Sequence, residues 1–231
     1  MISKSIVKKL FGLALLPLLC VNVWSQEAPV VTCFNVQNFH AVGDGRTKCT
    51  KAIAEAIAAA SAKGGGTVFF PAGVYLTGPI CLASHITLYL DAGATLKFSD
   101  DFDDYLPFVP SRWEGTDVEN FSPLIYAHDA EDIAICGRGR LEGQGDKWWA
   151  TIKKLSADWQ AGHKDENKWQ KLFLEQNAVA VSAAHYDLLD MGFLRPPFIE
   201  AYSCTNVLIE GVTVVNSPFW TIHPVYCENV T

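Results

Sequence analysis

Short apolar runs recur along the chain from about residue 67 onward, each followed by polar turn residues. They occupy residues 67–70, 74–77, 80–82, 86–90, 95–98, 124–127, 133–136, 207–210 and 212–215, and are rich in Val, Ile, Leu and Thr. Runs this short, bounded by Pro71-Ala72-Gly73, Asp91-Ala92-Gly93, Gly137-Arg138-Gly139 and Gly143-Gln144-Gly145, read as β-strands joined by tight turns. A helical period appears only near the N-terminus, where Ile53, Ile57 and Ala60 fall on one face. That spacing predicts a helix running to about Ala62, capped by Thr47 or Thr50. Gly43-Asp44-Gly45 predicts a turn before it, and Lys63-Gly64-Gly65-Gly66 ends it. At about 148–194 the β rhythm is lost. This stretch is polar, aromatic-rich and helical in pattern, and reads as an insertion on one face of the domain.

The last stretch repeats itself. Ile199, Cys204, Asn206 and Val207 recur as Ile222, Cys227, Asn229 and Val230, each pair 23 residues apart. A fixed period of this size marks a solenoid whose repeats stack on one another. Helix-length crossovers are missing between most of the β runs, so a doubly wound α/β fold is disfavoured. A sandwich or a parallel β-helix remains, and the 23-residue register favours the all-β parallel β-helix. Asn206 over Asn229 then predicts an asparagine ladder. The early helix would cap the open N-terminal end. The second copy is barely complete at Thr231, so the solenoid is expected to be truncated at its C-terminal end.

Composition changes this picture in three places. Lys4, Lys8 and Lys9 precede an apolar run at 10–23, and Val23-Trp24-Ser25 fits a cleavage site. Residues 1–25 are therefore expected to be a signal peptide, and 26–231 the exported, incomplete β-helix domain. The apolar run is too short for a stable membrane span. Its loss would move the formal charge from −7 to −10, which disfavours nucleic acid as a partner. Six cysteines would remain, widely spaced and without CxxC. Zinc is disfavoured, and small buried hydrophobes are favoured over a disulfide framework. Cys204 and Cys227 would stack at about the 4.8 Å strand spacing, near enough for a bond but in a geometry that often forbids one. The glycine run at 64–66 is no P-loop, because no Gly-Lys-Ser/Thr follows it.

Several tracts then carry a resemblance. They are Gly43-Asp44-Gly45, Gly64-Gly65-Gly66-Thr67-Val68 with Pro71-Ala72-Gly73, Tyr75-Leu76-Thr77-Gly78, Gly93-Ala94-Thr95-Leu96, and Gly137-Arg138-Gly139 leading to Gly143-Gln144-Gly145 and Trp148-Trp149. Arg195-Pro196 follows, and then the most specific tract, Asn216-Ser217-Pro218-Phe219-Trp220-Thr221-Ile222-His223-Pro224. In this order they resemble the N-terminal part of glycoside hydrolase family 28, the polygalacturonase-type enzymes. The resemblance implies a right-handed parallel β-helix and inverting hydrolysis of α-linked galacturonide bonds in pectic polysaccharide, by a monomer without metal or other cofactor. Inversion requires an acid and a base held roughly 6.5–9.5 Å apart.

The family's catalytic motifs are Asn-Thr-Asp, Asp-Asp, Gly-His-Gly and Arg-x-Lys, beginning about one coil after the Trp-x-x-His-Pro tract. No residue here matches them in place. Asp100-Asp101 and Asp103-Asp104 read as a solvated acidic turn, Arg46-Thr47-Lys48 matches in letters only, and Gly162-His163-Lys164 lacks the second glycine. No catalytic residue is therefore assigned, and the chain by itself is expected to be inactive. Arg195, Trp220 and His223 are the candidate substrate-binding residues, while Trp148-Trp149 reads as packing beneath the insertion. A polysaccharide lyase and a non-catalytic carbohydrate-binding β-helix stand as alternatives. An Asn-Thr-Asp within roughly 20 residues beyond Thr231 would decide among the three.

Overall fold

The computed structural model describes residues 32–163, 165–184 and 187–231; the expected signal peptide at 1–25 lies outside them. Strands β1 (Cys33–Asn35) and β2 (Asp44–Lys48) precede helix α1 (Thr50–Ser61). Four windings follow. The first is β3 (Gly66–Phe70), β4 (Gly73–Thr77) and β5 (Ile80–Leu82). The second is β6 (Ile86–Leu90), β7 (Ala94–Phe98), a hairpin of β8 (Val109–Trp113) and β9 (Thr116–Asn120), and β10 (Ile125–His128). The third is β11 (Glu131–Gly137), β12 (Arg140–Glu142), helices α2 (Asp146–Gln160), α3 (Lys168–Gln176), α4 (Ala178–Ala184) and α5 (Asp187–Met191), and β13 (Ile199–Tyr202). The fourth is β14 (Thr205–Glu210), β15 (Thr213–Val215) and β16 (Ile222–Val225), after which β17 (Glu228–Val230) begins again.

Each winding gives one strand to each of three parallel sheets. The first sheet is β1-β3-β6-β11-β14-β17, the second β2-β4-β7-β12-β15, and the third β5-β10-β13-β16. Together they wind as a right-handed parallel β-helix. Like residues stack in register. Ile199 pairs with Ile222 and Val207 with Val230, so the 23-residue period is one turn of the helix. Inward-facing Leu88, Ile135, Leu96, Leu141, Ile125 and Ile199 are buried in the core, while alternate residues face out.

α1 buries Ile53, Ala56, Ile57 and Ala60 and packs against β1, β3, β5 and β6, covering the N-terminal end of the core. Its cap differs from the sequence expectation. Cys49 is the N-cap and makes no side-chain capping bond. Thr47 donates instead to Asp44, and the Thr50 hydroxyl accepts from the Gly78 amide at 2.7 Å.

The asparagine ladder is present and longer than expected. Asn229 Nδ2 donates to Asn206 Oδ1 at 2.6 Å, and Asn206 Nδ2 donates to Asp132 Oδ1 at 2.7 Å. His85 Nδ1 lies 3.3 Å from the Asp132 carboxylate. All four residues are left-handed, with φ between 54° and 63°. This conformation suits Asn and Asp, whose short polar groups satisfy the local backbone. The six described cysteines, Cys204 and Cys227 among them, carry free thiols.

Two excursions leave the solenoid, and both leave between the second-sheet and third-sheet strands of a winding. One is the expected helical insertion. The other, the β8–β9 hairpin, is not apparent from the β rhythm. They stack at one corner, above the residues 216–221 that turn the same corner in the next winding. Trp148 anchors the helical insertion in a wholly buried cluster with Phe102, Tyr105, Phe121 and Phe193. Among the described residues no helix is long and apolar enough to cross a membrane.

Candidate functional site

The outward positions of the third sheet form a column. Cys81, Tyr126, Glu200 and His223 occupy one register position on β5, β10, β13 and β16. Strand β8 runs across this column. Pro110 accepts a hydrogen bond from the Tyr126 hydroxyl at 2.6 Å through its carbonyl, and Ser111 donates to both oxygens of Glu200 at 2.9 and 3.1 Å. Trp113 stacks on Phe219 with ring centroids 4.1 Å apart and planes 14° from parallel, and tilts over Trp220 at 5.4 Å. Burial, with nearby Glu200 and Glu119, pushes the Tyr126 hydroxyl well above its usual pKa, so it stays a donor.

The three candidate binding residues meet at the shared corner but in different settings. Trp220 is half-buried and packs on His223 with centroids 4.4 Å apart. The His223 side chain is 19% exposed, and its Nδ1 edge faces the buried Glu200 carboxylate at 3.3 Å. Arg195 is different. Its residue is 8% exposed, its guanidinium lies 3.6 Å above the Trp149 ring and 4.8 Å from Phe219, and Nη1 donates to the Pro218 carbonyl at 2.7 Å. Burial draws its pKa down from 12.5 to about 10, so it keeps its charge at neutral pH. Arg195 thus braces the 216–220 loop against α2.

Trp148 and Trp149 also part company. Trp148 is core, whereas Trp149 is 51% exposed, carries Arg195 on its face and donates Nε1 to the Ser217 carbonyl. The glycines before them allow this close packing. A Cβ on Gly143 would lie 2.6 Å from the Asn216 carbonyl oxygen and 2.7 Å from the Phe198 ring, and one on Gly145 would meet the same oxygen at 2.6 Å.

Of the acidic turn weighed in the sequence, Asp100, Asp101 and Asp103 are exposed, while Asp103 and Asp104 are also tied to neighbours. Asp103 accepts from Lys168 and Trp169 Nε1, tying α3 to the first excursion, and is held below the usual carboxylate pKa by the Lys168 bond. Asp104 pairs with Lys48 at 2.6 Å, so the Arg46-Thr47-Lys48 run has a structural partner. A cleft of about 750 Å³ opens between the hairpin and α4, with Tyr202, Asp117, Glu119, Asn177 and Ala180 in its walls. Its carboxylates make it a poor seat for an acidic sugar, whereas Trp220 and His223 combine a ring face with a basic nitrogen. Glu200, Ser111 and Trp113 escape sequence reasoning. Only Glu200 leaves a signal, since it stands one 23-residue period before His223.

Residues 33–125 match a family described as rhamnogalacturonase A/epimerase, pectate lyase-like. A probable polygalacturonase of Vitis vinifera is 31% identical over 201 residues, covering 84% of this chain and 34% of that protein. An exo-poly-α-D-galacturonosidase of Dickeya chrysanthemi is 31% identical over 222 residues, covering 90% of this chain and 36% of that protein. The crystal structure of an exopolygalacturonase from Thermotoga maritima superposes with a TM-score of 0.71 at 40% identity, covering 86% of this chain and 45% of that one. The chain thus spans about a third of the length of these two curated relatives.

Proposed function

We propose that this chain, which belongs to the polygalacturonase-type family 28 of glycoside hydrolases, forms N-terminal coils of an exported enzyme that hydrolyses α-linked galacturonide bonds in pectic polysaccharide. The observation that carries this reading is the pairing of Trp220 with His223 on the outward face of the third sheet. An indole can cover a sugar ring face, and an imidazole can meet a uronate carboxylate or a ring hydroxyl. In this reading Trp220 and His223 touch the sugar chain, and Arg195 holds their loop in place. The hairpin and the helical insertion wall the same corner.

Hydrolysis with inversion needs a carboxylic acid to protonate the leaving oxygen and carboxylates on the far side to activate water. We place these groups on further coils of the longer protein, where the third sheet would continue beside His223. Two carboxylates near the sheet are engaged otherwise: Asp117 with Arg112 at 2.6 Å, and Glu200 beneath Ser111. Incubated with polygalacturonate, the chain alone should release no reducing ends. Measurable release of reducing ends by the chain alone, whether or not Glu200→Gln abolishes it, would overturn this placement of the catalytic groups.

A further inference from the structure

Glu200 is the least expected residue of the third sheet. A carboxylate 1% exposed, on the outward face of a strand, needs a reason to be there. Its partners give one. Ser111 donates to both of its oxygens, and the one basic group paired with it among the described residues is His223, with Nδ1 3.3 Å from Oε1. Nδ1 is itself shielded from solvent and makes no well-directed hydrogen bond, so the contact with Glu200 is electrostatic as it stands. The exposed fifth of the side chain therefore excludes Nδ1, and Nε2 is not among the buried unpartnered atoms.

We propose that Glu200 is a positioning residue for His223. Its buried carboxylate draws the Nδ1 edge inward and fixes the proton there, so that Nε2 is the nitrogen presented to the ligand. The two ring nitrogens are chemically distinct, and a carboxylate on one of them sets the state of the other. Ser111 belongs to the first excursion, so the hairpin acts on the binding face through Glu200 without touching the sugar. Trp220 closes the other face of the imidazole at 4.4 Å, leaving the ring little freedom to turn once Glu200 holds its edge. This inference rests on the sugar-binding reading above for the identity of the ligand, but not for the orientation of the ring.

The test is nitrogen NMR on the whole chain with labelled histidine, His223 being assigned through His223→Gln. Without ligand, Nδ1 of His223 should show the shift of a protonated nitrogen. Glu200→Gln should move both nitrogens toward the averaged values of a ring exchanging between tautomers. Ser111→Ala, which loosens the carboxylate without removing it, should move them part of the way, and it supplies the answer if Glu200→Gln does not fold. Trigalacturonate should perturb Nε2 in the wild-type chain and bind about tenfold more weakly to Glu200→Gln. His223 nitrogen shifts that stay unchanged in both variants would overturn the proposal. A clear response to Glu200→Gln, with no response of His223 to trigalacturonate, would uphold the positioning role and overturn the pectic reading.

Discussion

Asp44 shows how one residue shapes the N-terminal cap. Its carboxylate accepts the backbone N–H groups of Arg46 and Thr47, each at 2.8 Å, and the Thr47 hydroxyl at 2.7 Å. The bond from the Thr47 amide leads in lowering its pKa from 3.8 to about 2. A depressed folded-state value means that the ionised form is favoured by folding. The resulting stability is present above the unfolded value and is lost as pH falls through about 2. Asp44→Ala should therefore melt below the wild-type chain at pH 6, and that gap should close as the pH approaches 2. Thermal melts across this window check it, and a gap independent of pH would refute it. Gly43-Asp44-Gly45 reads as a turn because Asp with flanking Gly is turn chemistry, but the structure places Asp44 and Gly45 at the start of β2, where only the left-handed Gly45 and the bonds from the Arg46 and Thr47 amides to Asp44 keep that character. The use of Thr47 was not legible. Thr47 and Thr50 both look like caps by position, yet the stronger acceptor next to Thr47 and the amide next to Thr50 take their hydroxyls.

At the scale of elements, the ladder runs through four successive levels of the first sheet, from His85 beside β6 to Asn229 on β17. Asn206 stands in its middle and makes two of its bonds, whereas Asn229 makes one. Asn206→Ala should lose both, and must also hold Ala at φ 58°, for a total of roughly 2 kcal/mol. Asn229→Ala carries the same left-handed cost at φ 57° but loses one bond, so it should cost about 0.5 kcal/mol less, and Asn206→Gly should recover the part due to the left-handed backbone. Urea unfolding of the three variants measures the order, and an Asn229→Ala cost equal to that of Asn206→Ala would contradict it. The ladder was legible because two asparagines stood one period apart. Its lower half was not, since Asp132 and His85 are different residue types separated by long excursions. The same cause hid the β8–β9 hairpin. Its strands carry Pro110, Arg112, Asp117 and Glu119 on the face turned from the solenoid, so they do not read as apolar runs.

The whole molecule is a stack of windings. The first two, where Gly66 pairs with Ile86 and Gly73 with Ala94, lie about as close in sequence as the last two, but only the last two repeat the same residue types at one spacing. Leu88 stacks beneath Ile135, and Ile135 beneath Ile209, yet the excursions between them leave no fixed spacing to read. The fold class was still legible, because short β runs with glycine turns and one clean repeat leave few architectures. The site was legible in part. Trp220 and His223 stood out through their tract. Arg195 was read with them as a candidate for binding substrate, without sign that Trp149 and Phe219 enclose it, and Glu200 was passed over. Side-chain burial depends on how excursions fold back over the sheet, which a one-dimensional pattern does not carry.

The central claim is that the corner bearing Trp220 and His223 receives an acidic sugar chain. Calorimetric titration of the chain with trigalacturonate tests it most directly. We expect saturable binding, weakened about tenfold or more by His223→Ala and by Trp220→Ala, a loss of at least about 1.4 kcal/mol in each case, with no comparable binding of neutral maltotriose. Absence of saturable heat, or an affinity that both substitutions leave unchanged, would contradict it.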